Sequence, residues 1–92
     1  MTQKIVTEGE FVVRSELGLH ARPAGRFVSQ ATRFQADVEV GRGDEWVNGE
    51  SVLSILSLAA AQGTVLRIRA SGPDSELAVS ELGALIESEE SD

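Results

Sequence analysis

Two segments of the chain alternate between apolar and polar residues, and this alternation restricts the fold more than any other feature. In Gln35–Val40 every second residue is apolar, and Thr64–Ala70 places two arginines between Leu66, Ile68 and Ala70. Successive side chains of a β-strand point to opposite faces of the sheet. Each segment therefore predicts a strand with one buried face and one solvent-exposed face.

Two further segments are typical of strands. Glu10–Ser15 is rich in β-branched and aromatic residues. Glu45–Asn48 follows the turn-forming Gly41–Asp44 directly, which predicts a hairpin with the preceding strand. Within this hairpin we interpret the tripeptide Arg42–Asp44 as turn composition and Trp46 as a cross-strand packing residue.

Apolar residues at helical spacing predict three helices. The first begins near Pro23, the second runs from Ser51 to Gly63, and the third begins around Pro73. The apolar stripes of the first and third helices consist of Ala24, Phe27, Val28 and Ala31, and of Ala78, Leu82, Leu85 and Ile86. Residues 88–92 form an acidic end that we expect to fray.

The elements therefore follow one another in the order βαββαβα. We expect a single domain over residues 1–92 with an α+β fold, a two-layer sandwich whose mainly antiparallel, four-stranded sheet is covered by helices on one face. Periodicity leaves the strand order open. A chain of 92 residues buries one modest core, so chemistry is expected at the surface, against a larger partner.

The composition excludes several classes of function. The chain has no cysteine and one histidine, so we expect no disulfide, no metal site and no cofactor. A net charge of −7 argues against nucleic acid and anionic membranes as partners. No signal peptide or membrane span is recognisable, and we expect a cytoplasmic, monomeric protein. Ten of the fifteen acidic residues lie in 44–92, so the half that contains the histidine can accommodate another anion.

The octapeptide GLHARPAG, Gly18–Gly25, contains the histidine. Pro23 is typical of the first turn of a helix, because its φ suits that position and its missing N–H removes no helical hydrogen bond there. None of the residues Leu19–Arg22 is a Ser, Thr, Asp or Asn that could cap the first N–H groups. Open N–H groups at the positive end of a helix dipole form a good phosphate site.

Two side chains at this helix start indicate phosphoryl chemistry. Arg22 offers a permanent positive charge and a planar set of donors that match phosphate oxygens. An imidazole can act as a nucleophile near neutral pH, and His20 places one here. The pair predicts a phosphorylatable histidine. The residues alone also allow a simpler interpretation, in which His20 is a hydrogen-bonding or capping residue and Arg22 is a surface charge.

The segment Gly18–Ala24 resembles the active-site motif of the HPr family, the histidine-containing phosphocarriers of the phosphoenolpyruvate-dependent sugar phosphotransferase system. Val47–Glu87 is similar to the second half of that family, including its short helix, the glycine before the last strand and the Gly-x-Asp opening of the last helix. The resemblance covers nearly the whole chain. It implies an open-faced β-sandwich with the element order read above.

The resemblance also implies roles for individual residues. His20 would receive a phosphoryl group on Nδ1 from enzyme I and would pass it to an enzyme II component of a sugar transporter. Arg22 would hold the phosphate and Pro23 would shape the loop. The protein would then be a carrier that is transiently phosphorylated, not an enzyme.

The start of the second predicted helix is a candidate site of regulation by phosphorylation. Ser51 matches a serine that some bacteria phosphorylate through a dedicated kinase, and phosphate at a helix N-terminus is electrostatically favourable. Ser51 is explained equally well as a plain helix cap. On the family pattern we expect partner contacts at Ala21, Gly25, Arg26, Val52, Leu53 and Leu56, although the last three are also suitable core residues. Gly25 costs up to about 1 kcal/mol relative to alanine in a helix, which suggests that it makes room for a partner.

The chain departs from the family in its charge, and this leaves alternatives open. Members of the family carry basic residues that meet an acidic surface on enzyme I, whereas here Glu50 precedes Ser51 and Arg26 is the main remaining candidate for that role. A regulatory module of a nitrogen-type or rewired phosphotransfer branch, which binds a kinase or transcription regulator according to its phosphorylation state, is the first alternative. An enzyme that uses His20 as a general acid or base is the second. Such an enzyme needs a second catalytic group close to His20. The sequence near the motif offers only Glu16, which we interpret as a surface charge.

Overall fold

The computed structural model describes residues 5–89, which form four strands and three helices. The strands are β1 (Val6–Val12), β2 (Asp37–Arg42), β3 (Glu45–Asn48) and β4 (Val65–Ser71), and the helices are α1 (Ala21–Ala31), α2 (Val52–Leu56) and α3 (Ser75–Ile86). The sheet order is β1-β4-β2-β3, and all neighbouring strands are antiparallel. The predicted element order and the antiparallel sheet are confirmed. Of the expected acidic end, residues 90–92 lie outside the described residues.

The core lies between one face of the sheet and the helices. Leu66, Ile68 and Ala70 alternate along the central strand β4 and are almost completely buried, as the sequence pattern predicts. Phe27 of α1 and Leu82 of α3 are also completely buried, and both helices contribute to the same cluster. The helices therefore cover one face of the sheet and leave the other face open.

On the open face, Trp46 packs across the strands as expected. The guanidinium carbons of Arg67 and Arg69 lie 4.6 and 3.9 Å from the centre of the indole ring. The indole reaches these β4 residues over Gly41, where a Cβ atom would come within 2.9 Å of the ring. Arg69 also forms an ion pair with Glu39 at 2.7 Å. These contacts tie β3 to β4 across the intervening strand β2.

The first and second strands begin at different residues from those predicted. β1 runs from Val6 to Val12 rather than over Glu10–Ser15, because the earlier residues pair with β4 although Glu8 and Gly9 do not favour strands. β2 begins at Asp37 and continues through Arg42, so the hairpin turn is shorter than the predicted Gly41–Asp44. In both cases the pairing with a neighbouring strand decides the boundary.

The prediction that the second helix extends to Gly63 is wrong. α2 has only five residues and ends at Leu56. Beyond it the N–H groups of Leu58 and Ala59 donate to the carbonyls three residues earlier, and Ala59 adopts a positive φ of 50°, which a helix cannot contain. The alanine-rich composition favours a helix locally, but contacts with Arg42 and the loop before α1 hold this segment in another conformation.

The third helix begins at Ser75, two residues after Pro73. Asp74 is its N-cap residue, but the Asp74 carboxylate accepts no cap hydrogen bond from α3. It accepts instead from the backbone N–H of Gln35 at 2.7 Å. The predicted apolar stripe is buried at Ala78, Leu82 and Ile86, while Leu85 is half-buried against the core.

Candidate functional site

The loop before α1 is fixed against residues beyond α2. Gly18 has a φ of +73°, and a Cβ atom at this position would lie 2.6 Å from the carbonyl oxygen of Ala60. The N–H of Leu19 donates to that same oxygen at 2.9 Å. The hydroxyl of the buried Ser15 donates to the Gly18 carbonyl at 2.9 Å. The Gly18 N–H also donates to the Ser15 carbonyl at 3.0 Å, so three hydrogen bonds hold the two residues that precede His20.

His20 is the N-cap residue of α1. Its backbone is extended, with φ −87° and ψ −169°, and its carbonyl accepts the first helical hydrogen bond from Ala24 at 3.0 Å. The His20 side chain does not cap the helix, which confirms the missing local cap inferred from the sequence. Pro23 is the third helical residue and has no N–H, so the N–H groups of Ala21 and Arg22 are the ones left without a partner inside the helix.

The charges of α1 are arranged in the reverse of the stabilising pattern. Its first turn has no acidic residue and its last turn has no basic one, whereas Arg22 lies exposed in the first turn. A positive charge at the N-terminal end of a helix opposes the helix dipole, by about 0.3–1 kcal/mol at an exposed site. The first turn of α3, in contrast, carries Glu76. An anion bound at the start of α1 would relieve this unfavourable arrangement.

His20 lies beside a shallow depression of about 250 Å³. The other residues that line it are Leu17, Leu19, Ala59, Ala60 and Ala61. The Leu17 side chain is 68% exposed and forms an apolar edge of the depression. The sequence pattern predicts neither of these linings, because Leu17 lies outside the predicted strands and helices and the three alanines fall within the predicted second helix. Leu17 could have been found as an apolar loop residue three positions before the histidine. No sequence pattern indicates that the three alanines lie beside His20.

α2 packs beside α1 and presents the other predicted partner residues. Ser51 is its N-cap and accepts a hydrogen bond from the N–H of Ser54 at 3.3 Å. Val52 and Leu56 are half-buried against the core, whereas Leu53 is 81% exposed. Of these three apolar residues, only Leu53 offers nearly its whole side chain to a partner.

The predicted partner residues on α1 differ in exposure. Ala21 and Arg26 are exposed, and Gly25 is half-buried. Apart from its chain neighbours and the backbone of the same helix, no atom lies within 4 Å of the position that a Cβ atom of Gly25 would occupy. The surface next to Gly25 is therefore open, which is consistent with close approach of another protein.

Other types of site find no support in the described range. Among residues 5–89, no three His, Cys, Asp or Glu side chains form a group that could hold a metal ion. No helix in that same range is long and apolar enough to cross a membrane. Glu16 is an exposed loop residue, which agrees with its interpretation as a surface charge.

Comparisons with known proteins agree on one family. The family model described as "PTS HPr component phosphorylation site" matches residues 7–88. Phosphocarrier protein HPr of Xylella fastidiosa is 38% identical over 80 residues, which is 87% of this chain and 90% of that protein. HPr-like protein Crh of Bacillus subtilis is 39% identical over 77 residues, 84% of this chain and 91% of that protein. The crystal structure of a phosphocarrier protein HPr from Bacillus anthracis matches with a TM-score of 0.84 at 36% identity, covering 88% of this chain and 96% of that one.

Proposed function

This chain belongs to the HPr family of phosphocarrier proteins of the phosphotransferase system, and on this premise we propose that it accepts a phosphoryl group from enzyme I on His20 and passes it to an enzyme II component of a sugar transporter. The observation that carries the proposal is the start of α1, where His20 is the N-cap residue but its side chain does not cap the helix. In this role the protein is itself modified and released, and it turns over no small molecule alone.

The chemistry follows from the N-cap position. A side-chain oxygen at the N-cap normally accepts a hydrogen bond from the second or third helical N–H. The third helical residue here is Pro23, so the second, Arg22, is the one that can donate. A phosphoryl group on the His20 ring would bring oxygens to this position and would act as the missing cap. The Nδ1 atom is the ring nitrogen closer to the backbone, which supports Nδ1 as the site of attachment.

The transfer step uses the lone pair of the His20 ring nitrogen as nucleophile. As the new N–P bond forms, the bond between phosphorus and the donor group breaks, and its electron pair leaves with the donor. The three remaining phosphoryl oxygens carry the negative charge of the transition state. The helix dipole, the open N–H groups and the Arg22 guanidinium are suited to stabilise that charge.

The proposal is tested by the intact mass of the chain after incubation with phosphoenolpyruvate, magnesium and enzyme I from the same organism. We expect one added phosphoryl group that is labile in acid and stable in base. The His20→Ala variant is expected to gain none. If the wild-type chain also gains none, while the same enzyme I phosphorylates another carrier, the carrier function is contradicted.

A regulatory role is the second candidate, and two observations favour it. Residues 44–92 contain ten of the fifteen acidic residues, which differs from the basic surroundings that enzyme I meets on family members. The chain is also 36% identical, over 91% of its length, to the protein described as "Crh, the Bacillus subtilis Catabolite Repression HPr". Pull-downs from lysate with His20→Ala and His20→Glu distinguish the roles. Capture of a sugar transporter component supports transport, and capture of a kinase or transcription regulator alone supports regulation.

Ser51→Asp is predicted to weaken binding to enzyme I about tenfold, because added negative charge beside the exposed Leu53 repels an acidic partner. Aspartate caps a helix about as well as serine, so the melting temperature should not change. The measurement is titration calorimetry with enzyme I. Ser80→Asp, which adds the same charge at an exposed position of α3, is the matched control. Equal affinity of the Ser51→Asp and wild-type chains would contradict a partner surface at the start of α2.

A further inference from the structure

Arg42 is the last residue of β2, and its side chain reaches the loop that follows α2. Its Nη1 atom donates to the carbonyl oxygens of Leu58 at 2.7 Å and of Ala59 at 3.2 Å. These two carbonyl groups lie in the loop beyond the C-cap of α2, and a cationic donor satisfies such backbone acceptors well. Ala59 has a φ of 50°, a conformation that alanine adopts only when surrounding contacts impose it. Arg42 is therefore one of the contacts that hold this loop in its observed conformation.

The constrained loop is the same one that supports His20. Ala60 follows the two residues that Arg42 binds, and its carbonyl accepts the hydrogen bond from Leu19, directly before His20. Ala59 and Ala60 also line the depression that His20 shares. The Arg42 guanidinium is thus connected to the backbone of the N-cap residue in a few steps. It binds the carbonyl of Ala59, the next residue is Ala60, and Ala60 binds the residue directly before His20.

The hairpin end from which Arg42 reaches is itself anchored. The guanidinium of Arg67 on β4 donates to the carbonyl of Gly43, the residue after Arg42. The Arg67 guanidinium also lies over the Trp46 ring at 4.6 Å. These contacts fix the β2–β3 turn against the central strand β4. The Arg42 side chain extends from this fixed turn toward the loop that follows α2.

We propose that Arg42 is a positioning residue for phosphoryl transfer at His20. It holds residues 58–60, which hold Leu19, so that the imidazole and the first N–H groups of α1 keep the relative orientation that transfer requires. Arg42 acts through this loop and not by contact with the phosphoryl group. This inference rests on the carrier function proposed above, because it concerns the rate of that same transfer.

The first test compares Arg42→Gln with Arg42→Lys in transfer from phosphorylated enzyme I. We expect Arg42→Gln to lower kcat about tenfold with an unchanged KM, because a small misplacement of reacting groups costs rate and not partner affinity. Lysine keeps a cationic donor, so Arg42→Lys should recover most of the rate. Arg33→Gln, the same change at an exposed arginine beyond the C-terminal end of α1, is the matched control and should transfer normally.

The second test is amide hydrogen exchange, which does not depend on the transfer reaction. In Arg42→Gln the Leu19 N–H should exchange about tenfold faster, while the Ile68 N–H in the central strand keeps its rate. An equal increase at both amides would assign Arg42 to global stability and overturn the positioning role. Normal transfer and normal Leu19 exchange in Arg42→Gln would also overturn it. Failure of the wild-type chain to accept a phosphoryl group would instead contradict the carrier function, so the two failures are distinguishable.

Discussion

Arg22→Ala is expected to slow phosphoryl transfer to His20 about a hundredfold, because a charged donor aimed at the transferred group typically contributes an effect of that size. Arg22 is the second helical residue of α1 and is exposed. It therefore belongs to the first turn of the helix, at the end where His20 is the N-cap. The variant keeps the N–H but loses the positive charge that, in the proposed role, balances the three phosphoryl oxygens.

The fold should not suffer from this change. The Arg22 charge opposes the dipole of α1, and alanine has the highest helix propensity of all residues. The melting temperature of Arg22→Ala should therefore be equal to that of the wild type or slightly higher. This combination of a large kinetic loss with no loss of stability separates a functional arginine from a structural one.

Stopped-flow or quench measurements of single-turnover transfer from phosphorylated enzyme I provide the rate. Arg33→Ala is the control, because it removes the same charge at the opposite end of α1, about 16 Å away along the helix axis. Arg22→Lys keeps the charge without the planar donor set, and an intermediate rate is expected for it. An unfolded Arg22→Ala chain, or one with the wild-type rate, would show that Arg22 does not stabilise the transferred group.

Gly18→Ala is expected to lower the free energy of unfolding by about 2–4 kcal/mol, since two penalties add. The φ of +73° at Gly18 is unfavourable for any residue with a Cβ atom, and that atom would lie 2.6 Å from the Ala60 carbonyl oxygen. The carbonyl belongs to the backbone and also accepts from Leu19, so it cannot move aside without losing that hydrogen bond. The loop before His20 would have to shift.

Such a loss is a large part of the total stability of a domain of this size, which is about 5–15 kcal/mol. Urea unfolding measures it directly, and the melting temperature should fall by on the order of 10–20 °C. Gly25→Ala is the matched control, because its φ is helical and, apart from its chain neighbours and the backbone of the same helix, no atom lies within 4 Å of the added methyl group. That variant should be more stable by up to about 1 kcal/mol. A Gly18→Ala chain as stable as wild type would show that the contact with Ala60 does not constrain this loop.

Much of the fold and the central part of the site are readable from local sequence. The alternation in β4 predicts which of its residues are buried, and the spacing in α1 and α3 predicts their inner faces. The uncapped start of α1 follows from Pro23 and from the absence of Ser, Thr, Asp or Asn just before it. These features depend on residues within a few positions of one another, so the sequence contains the physical information that determines them.

The surroundings of His20 depend on contacts between distant parts of the chain, and only the tertiary structure decided them. The segment Ala59–Ala61 favours a helix by composition. Arg42 instead binds the carbonyl oxygens of Leu58 and Ala59, and the Leu19 N–H binds the oxygen of Ala60. The segment therefore lines one side of the depression beside the histidine. The partner of a guanidinium or a backbone N–H cannot be inferred from local propensity, because it is chosen by packing. For the same reason, the sequence predicts His20 as the proposed phosphoryl acceptor from its type and position, while the loop that holds it in place emerged only from the folded chain.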